Sequence, residues 1–293
     1  MTDSARPASR QEASIAGAGA FSAPRSGATA EASKDGTVRS YVAIGDSFTE
    51  GLADARPDGT YRGWADLLAG HLARHLTTDG GPALRYANLA IRGKLLGQVA
   101  AEQVVPAVTL RPDLVSIAAG GNDLIRPGGA DPDGLAEVFE DAVRRLQDAG
   151  ARVLVVTGFP PPFPLLRRVR GRVALYNLHL RAIADRQGCL VVDLWAMPPL
   201  RDPRSWSIDR LHLSTDGHRR IALRAAEVLG VPVGDDWREP LPPVAPVDRA
   251  SQLRADLRWT REHLLPWVGR RIRGRSSGDG VTAKRPDLAP VDC

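Results

Sequence analysis

The 293-residue sequence is poor in cysteine, in lysine and in long apolar runs. Its two cysteines are Cys189 and Cys293. A secreted scaffold held by disulfides needs more, at closer spacing. Cys189 lies in an apolar run and reads as a buried thiol, while Cys293 is the last residue and reads as free. Nothing else marks an oxidising compartment, so the expected location is cytoplasmic. No apolar run approaches the roughly 18 to 20 residues that a membrane-spanning helix needs. The first residues are rich in Ala, Ser and Gly without a continuous hydrophobic stretch, and Asp3 stands where a secretory leader carries positive charge. No leader is expected. Also missing are Gly-x-x-x-x-Gly-Lys and a Gly-x-Gly-x-x-Gly that opens a helix, which removes P-loop and dinucleotide sites from consideration.

Lysine occurs only at Lys34, Lys94 and Lys284, and the other basic residues are arginine. We read this as a coding bias, not a functional signal. The formal net charge is +5. Residues 248–275 hold eight Arg against Asp248, Asp256 and Glu262, so this segment carries the whole excess. The remainder is neutral on balance, and the basic character belongs to the C-terminal part.

Residues 1–36 are small, polar and without periodicity, and are expected to be disordered. Residues 37–232 read as one domain. Runs at 39–44, 85–89, 114–119, 153–156 and 190–194 read as strands. Between them, Trp64, Leu67, Leu68, Leu72 and Leu76 recur at helical spacing, and 135–146, 173–184 and 215–229 read as further helices. Alternating strands and helices predict an α/β domain with a parallel sheet, whose sites lie at the carboxyl ends of the strands. Prolines at 240, 242, 243 and 246 mark residues 233–248 as a linker. Residues 249–274 read as a basic amphipathic helix whose stripe of Leu253, Leu257 and Leu264 is expected to dock on the domain. Residues 275–293 read as a disordered tail.

Four short segments carry candidate chemistry. Gly45-Asp46-Ser47 follows the first strand, so Ser47 sits in a tight turn at a strand end. A serine hydroxyl is a poor nucleophile without a base in hydrogen-bond reach. Asp209-Arg210-Leu211-His212 supplies an imidazole, and a carboxylate three residues away that can hold its tautomer. Asn88 to Gly93 follows the second strand and Gly120-Gly121-Asn122-Asp123 the third. Acyl transfer builds negative charge on a carbonyl oxygen. The N–H groups of Ser47 and Gly93 and the Asn122 amide are three donors able to meet it. Asp46 and Asp123 read as supports of the loops that present Ser47 and Asn122. Arg92 and Arg126 read as solvated surface, His218 as packing in the last helix and Asp193 as structural; His71 and His75 receive no function.

In this order, the segments resemble the SGNH (GDSL-like) hydrolases, and Trp206 to Ser214, followed by Gly217-His218, resembles the form seen in actinobacterial members. The family's four signature residues match Ser47, Gly93, Asn122 and His212, with Asp209 as the third member of a triad. The resemblance covers about residues 38 to 231. It implies a three-layer α/β/α, flavodoxin-like fold with a five-stranded parallel sheet. It also implies a serine esterase that passes through an acyl-enzyme, needs no metal or other cofactor and acts on a small-molecule ester. Esterase, thioesterase, lipase, carbohydrate-deacetylase and acyltransferase activities all remain open. The segments 52–62, 124–134 and 158–172, which would shape specificity, carry no readable pattern. The C-terminal Trp267-Val268-Gly269-Arg270-Arg271 and Ser276-Ser277-Gly278-Asp279-Gly280 also resemble actinobacterial members, with no catalytic role implied.

Two other readings differ in class. Asp46, Asn122, Asp209 and His212 resemble a hard-metal set, as in a metal-dependent phosphoesterase. A two-metal site needs more His and Asp ligands than these segments supply. The Arg-rich helix alone suits a binding module for nucleic acid or an anionic membrane face, but Asp256 and Glu262 interrupt its charge.

Overall fold

The computed structural model describes Met1 and residues 37–78, 80–126, 128–161, 163–244, 248–266, 269 and 276–291. The disorder expected for residues 1–36 thus lies, Met1 apart, outside the described residues. The five expected strands are present as β1 (Ser40–Gly45), β2 (Arg85–Asn88), β3 (Leu114–Ala118), β4 (Arg152–Val156) and β5 (Leu190–Val192). They pair in parallel in the order β5-β4-β3-β1-β2.

The helices are α1 (Ser47–Glu50), α2 (Gly63–Thr78), α3 (Leu96–Glu102), α4 (Val104–Leu110), α5 (Gly121–Ile125), α6 (Pro132–Asp148), α7 (Arg170–Gln187), α8 (Thr215–Val228) and α9 (Arg249–Trp259). Along β1, Tyr41 and Ala43 face one core, packed by Trp64, Leu68 and Leu72 of α2 and Ile221 and Leu223 of α8. Val42 and Ile44 face the other, packed by α3, α4, α6 and α7. This period of two on a strand buried on both sides gives the three layers. Phe139 of α6 is fully buried and meets Tyr176 edge-on at 6.2 Å. Phe139→Ala should lower stability by about 3–5 kcal/mol, read as a drop in the urea midpoint at unchanged slope.

The structure corrects two expectations and fills a stretch that carried none. The sheet has six strands: β6 (Arg285–Pro290), placed within the expected disordered tail, pairs antiparallel with β2. Pro286 and Pro290 hid it, but an edge strand tolerates missing donors. Leu288 is buried, and the Arg285 guanidinium bonds the carbonyls of Tyr86, Ala289 and Pro290. Next, α3 and α4 fill a stretch for which no element is expected from sequence. They break at Gln103, whose amide turns inward to bond both the N–H and the carbonyl of Gly45 at 2.8 and 2.9 Å. Pro106 is tolerated in the first turn of α4.

The second correction concerns α9. It continues through a π-helical turn at Thr260–Leu264. Leu253 and Leu257 are each about 60% exposed and do not dock. The contact with the domain comes from Asp256, which pairs with Arg210, and from Trp259. The Leu264 side chain and most of 267–275 lie outside the described residues.

Candidate active site

β1 delivers Ser47 to the carboxyl edge of the sheet. Gly45 has φ +150°, and a Cβ there would overlap the Ala118 carbonyl oxygen, so the chain turns where a side chain has no room. Asp46 caps α1 by accepting the Phe48 N–H at 3.0 Å. Ser47 begins that helix, where a backbone N–H has no intrahelical acceptor. The buried Asn88 amide donates to the Thr49 carbonyl at 3.0 Å and ties β2 to the turn.

The loop before α8 brings His212. His212 Nε2 lies 3.1 Å from Ser47 Oγ, across 165 positions of sequence. His212 Nδ1 lies 2.6 Å from Asp209 Oδ2. These partners define the tautomer: Nδ1–H donates to the carboxylate and Nε2 accepts from the hydroxyl. Asp209 Oδ1 accepts the N–H groups of Leu211 and His212, both at 3.0 Å. Arg210 takes a left-handed φ of +55° to allow this turn. Burial pushes the Asp209 carboxyl up. The hydrogen bond and charge of His212 and the two backbone donors outweigh it and bring it to about 2. Its contribution to folding is therefore present above its unfolded value of about 4 and lost as pH falls towards 2.

The second and third segments converge on the same edge. Gly93 has φ +74°. The peptide before it is held by Glu50, a residue given no role from sequence. Its buried carboxylate accepts the Arg92 N–H at 2.7 Å and pairs with the Arg92 guanidinium. Arg92 is thus bound within the structure, not solvated as expected. Arg126 is half-buried. The Asn122 Nδ2 lies 3.1 Å from Asp46 Oδ2 and 3.0 Å from the Lys94 carbonyl, so Asn122 joins the serine turn to the Gly93 loop. Asp123 accepts the Leu96 N–H at 3.0 Å and anchors α5 to α3. Burial raises Asp123 and pushes Asp46 up to about 6. Among the described residues, the N–H groups of Ser47 and Gly93 meet no acceptor.

Ser47, His212, Asp209, Gly93, Asn122, Asp46 and Asp123, the candidate site residues of the sequence, therefore lie together at one edge. Glu50, Gln103 and Trp259 were missed, because a buried polar residue and an indole donor leave no local pattern. His218 does more than pack. Its Nδ1 accepts the Trp64 N–H at 3.2 Å and its Nε2 faces the Leu52 carbonyl, and burial lowers it to about 4, keeping it neutral. Asp193 caps the short turn at Leu194–Ala196, a structural role as expected.

The clearest cavities do not locate the chemistry. One of about 560 Å³ is lined by Ala196, Pro199, Trp237 and Leu241. One of about 490 Å³ adjoins the Asp209 loop between Phe163, Trp206, Ile208, Arg210 and α9.

The family model for the GDSL-like lipase/acylhydrolase family matches residues 43–220. No curated protein matches the chain. Among solved structures, it is similar to LAE5, an α/β hydrolase enzyme from the metagenome of Lake Arreo, Spain. That match has 23% identity over 66% of this chain and 95% of that one, with a TM-score of 0.55. It is also similar to a catalytic mutant of Axe2, an acetylxylan esterase from Geobacillus stearothermophilus. There the identity is 21% over 69% of this chain and 96% of that one, with a TM-score of 0.56. These likenesses establish the fold.

Proposed function

The chain belongs to the GDSL-like lipase/acylhydrolase family and is an ester-hydrolysing enzyme, and from that premise we propose that it works by two-step acyl transfer through Ser47, His212 and Asp209. The observation that carries the reading is the line of contacts Ser47 Oγ–His212 Nε2 at 3.1 Å and His212 Nδ1–Asp209 Oδ2 at 2.6 Å. Ser47 attacks the carbonyl carbon of a small carboxylic ester while His212 takes its proton. Asp209 holds the ring and stabilises the imidazolium. The imidazolium returns its proton to the departing alcohol, leaving an acyl group on Ser47. Water, deprotonated by His212, then releases the acid. Both imidazole nitrogens are committed to Asp209 and Ser47, which favours acyl transfer over a metal-assisted phosphoester reaction.

The oxyanion is met by the N–H groups of Ser47 and Gly93 and by the Asn122 amide. In the resting state both Asn122 N–H groups face protein oxygens, so one is exchanged for the oxyanion as charge develops. Asp46 sets that amide's position and Asp123 the loop that carries it. Asn122→Ala should then lower kcat by about 10²- to 10³-fold with little change in KM. A change confined to KM would remove Asn122 from the oxyanion site. The reading as a whole is tested by rapid mixing with p-nitrophenyl acetate. A burst of one nitrophenolate per enzyme supports the acyl-enzyme; strictly linear release abolished by a chelator would oppose it.

A further inference from the structure

The family match ends at residue 220, yet residues beyond it touch the Asp209 loop, the end of α1 and the Arg92–Gly93 loop. Trp259 Nε1 donates to the Asp209 carbonyl at 2.9 Å. Asp256 pairs with Arg210 at 2.7 Å, and the Arg210 guanidinium lies between the rings of Phe163 and Trp259, 5.6 and 5.1 Å from their centroids. This holds the left-handed residue between the triad's acid and its base. The Lys284 ammonium, largely buried, lies 2.7, 3.1 and 2.7 Å from the carbonyl oxygens of Glu50, Tyr61 and Arg62 and 3.0 Å from Asp66, its three N–H groups shared among them. It therefore closes the carboxyl end of α1, the helix that Ser47 begins, where a cation is favoured.

The third contact is the most direct. Ser276 Oγ lies 3.4 Å from the Gly93 carbonyl, and a Cβ on Gly93 would overlap that hydroxyl. Gly278 is buried against the Arg92 carbonyl oxygen so closely that a Cβ at 278 would overlap it. That oxygen and the Gly93 N–H belong to one peptide unit. Such a unit is planar and trans, so its oxygen and its N–H point in opposite directions. Whatever bears on the oxygen sets the direction of the N–H. Glu50 holds the Arg92 N–H, one peptide earlier.

We propose that the C-terminal segment is a positioning element of the active site: Gly278 seats the Arg92–Gly93 peptide and aims the Gly93 N–H, while Trp259 fixes the loop that aligns Asp209 with His212. The inference rests on Gly93 and Asp209 having the roles given above. Neither Gly278 nor Trp259 needs to touch substrate. The helix α9 is then part of the catalytic domain and not a separate binding module.

The test uses two point variants of the full chain. Gly278→Ala should lower kcat by about 10- to 100-fold, as expected for a donor displaced by up to an ångström, with KM within about twofold. Trp259→Phe keeps the ring beside Arg210 and removes one donor; kcat should fall about fivefold, again at constant KM. Melting temperature is measured for both, and the kcat loss should exceed anything the melting shift explains at the assay temperature. Wild-type kcat in folded Gly278→Ala overturns the oxyanion limb, and wild-type kcat in Trp259→Phe overturns the triad limb. A loss carried only by KM counts against either. If Gly278→Ala does not fold, Ser276→Ala replaces it; it should lower kcat about twofold to fivefold, and wild-type kcat there overturns the same limb. Failure of the underlying reading shows separately, as activity retained by Ser47→Ala.

Discussion

Ser47→Ala should lower kcat for ester hydrolysis by roughly three to six orders of magnitude. Among the described residues, the Ser47 hydroxyl is the group facing His212 Nε2, at 3.1 Å. Without it the imidazole has no proton to take and no covalent intermediate forms. Substrate binding does not depend on that oxygen, so KM should stay within a small factor of wild type. The backbone changes little, because the serine turn is fixed by Asp46, Gln103 and Asn88 and not by the hydroxyl. The residual rate should still exceed that in water, since the oxyanion donors remain. Stopped-flow traces should lose the nitrophenolate burst. Near-normal turnover in the variant would refute the assignment.

Asp209→Asn should cost about 10⁴-fold in kcat, and the local geometry explains why a near-isosteric change is so damaging. Oδ1 accepts two backbone N–H groups, from Leu211 and His212. An asparagine must place its carbonyl oxygen there to keep both bonds. Its NH2 group then faces His212 Nδ1, which has to accept. The imidazole proton moves to Nε2, which now donates towards Ser47 and cannot act as base. The same two backbone bonds that preserve the turn lock the wrong tautomer in place. Folding at neutral pH should change modestly, while kcat falls. A loss below about tenfold would mean that Asp209 does not orient His212.

The site was legible because its parts follow strands that announce themselves. The runs at 39–44, 85–89 and 114–119 read as strands, and their carboxyl ends marked where Ser47, Gly93 and Asn122 had to lie. Asp209 and His212 sit three apart on one turn, so local spacing sufficed for them. The supports were not legible. Gln103 reads as a surface residue until its contact with Gly45 is seen, and Glu50 reads as one of many acids until Arg92 reaches it. Hydrophobic patterning misled at α9, where Leu253 and Leu257 face outward and the indole of Trp259 makes the attachment. β6 was lost because Pro286 and Pro290 argue against a strand unless an edge is already known to be vacant. Local composition carried the chemistry; the long-range contacts that hold it in place left no periodic trace.

The most direct measurement is covalent. A fluorophosphonate, which reacts with an activated serine hydroxyl, should add one phosphonyl group per chain. Peptide mass mapping should place it on Ser47, with activity lost in proportion to labelling. Asp209→Asn should label far more slowly at the same residue. An enzyme that hydrolyses p-nitrophenyl esters at full rate while Ser47 carries the label, or that takes its label elsewhere, would contradict the account.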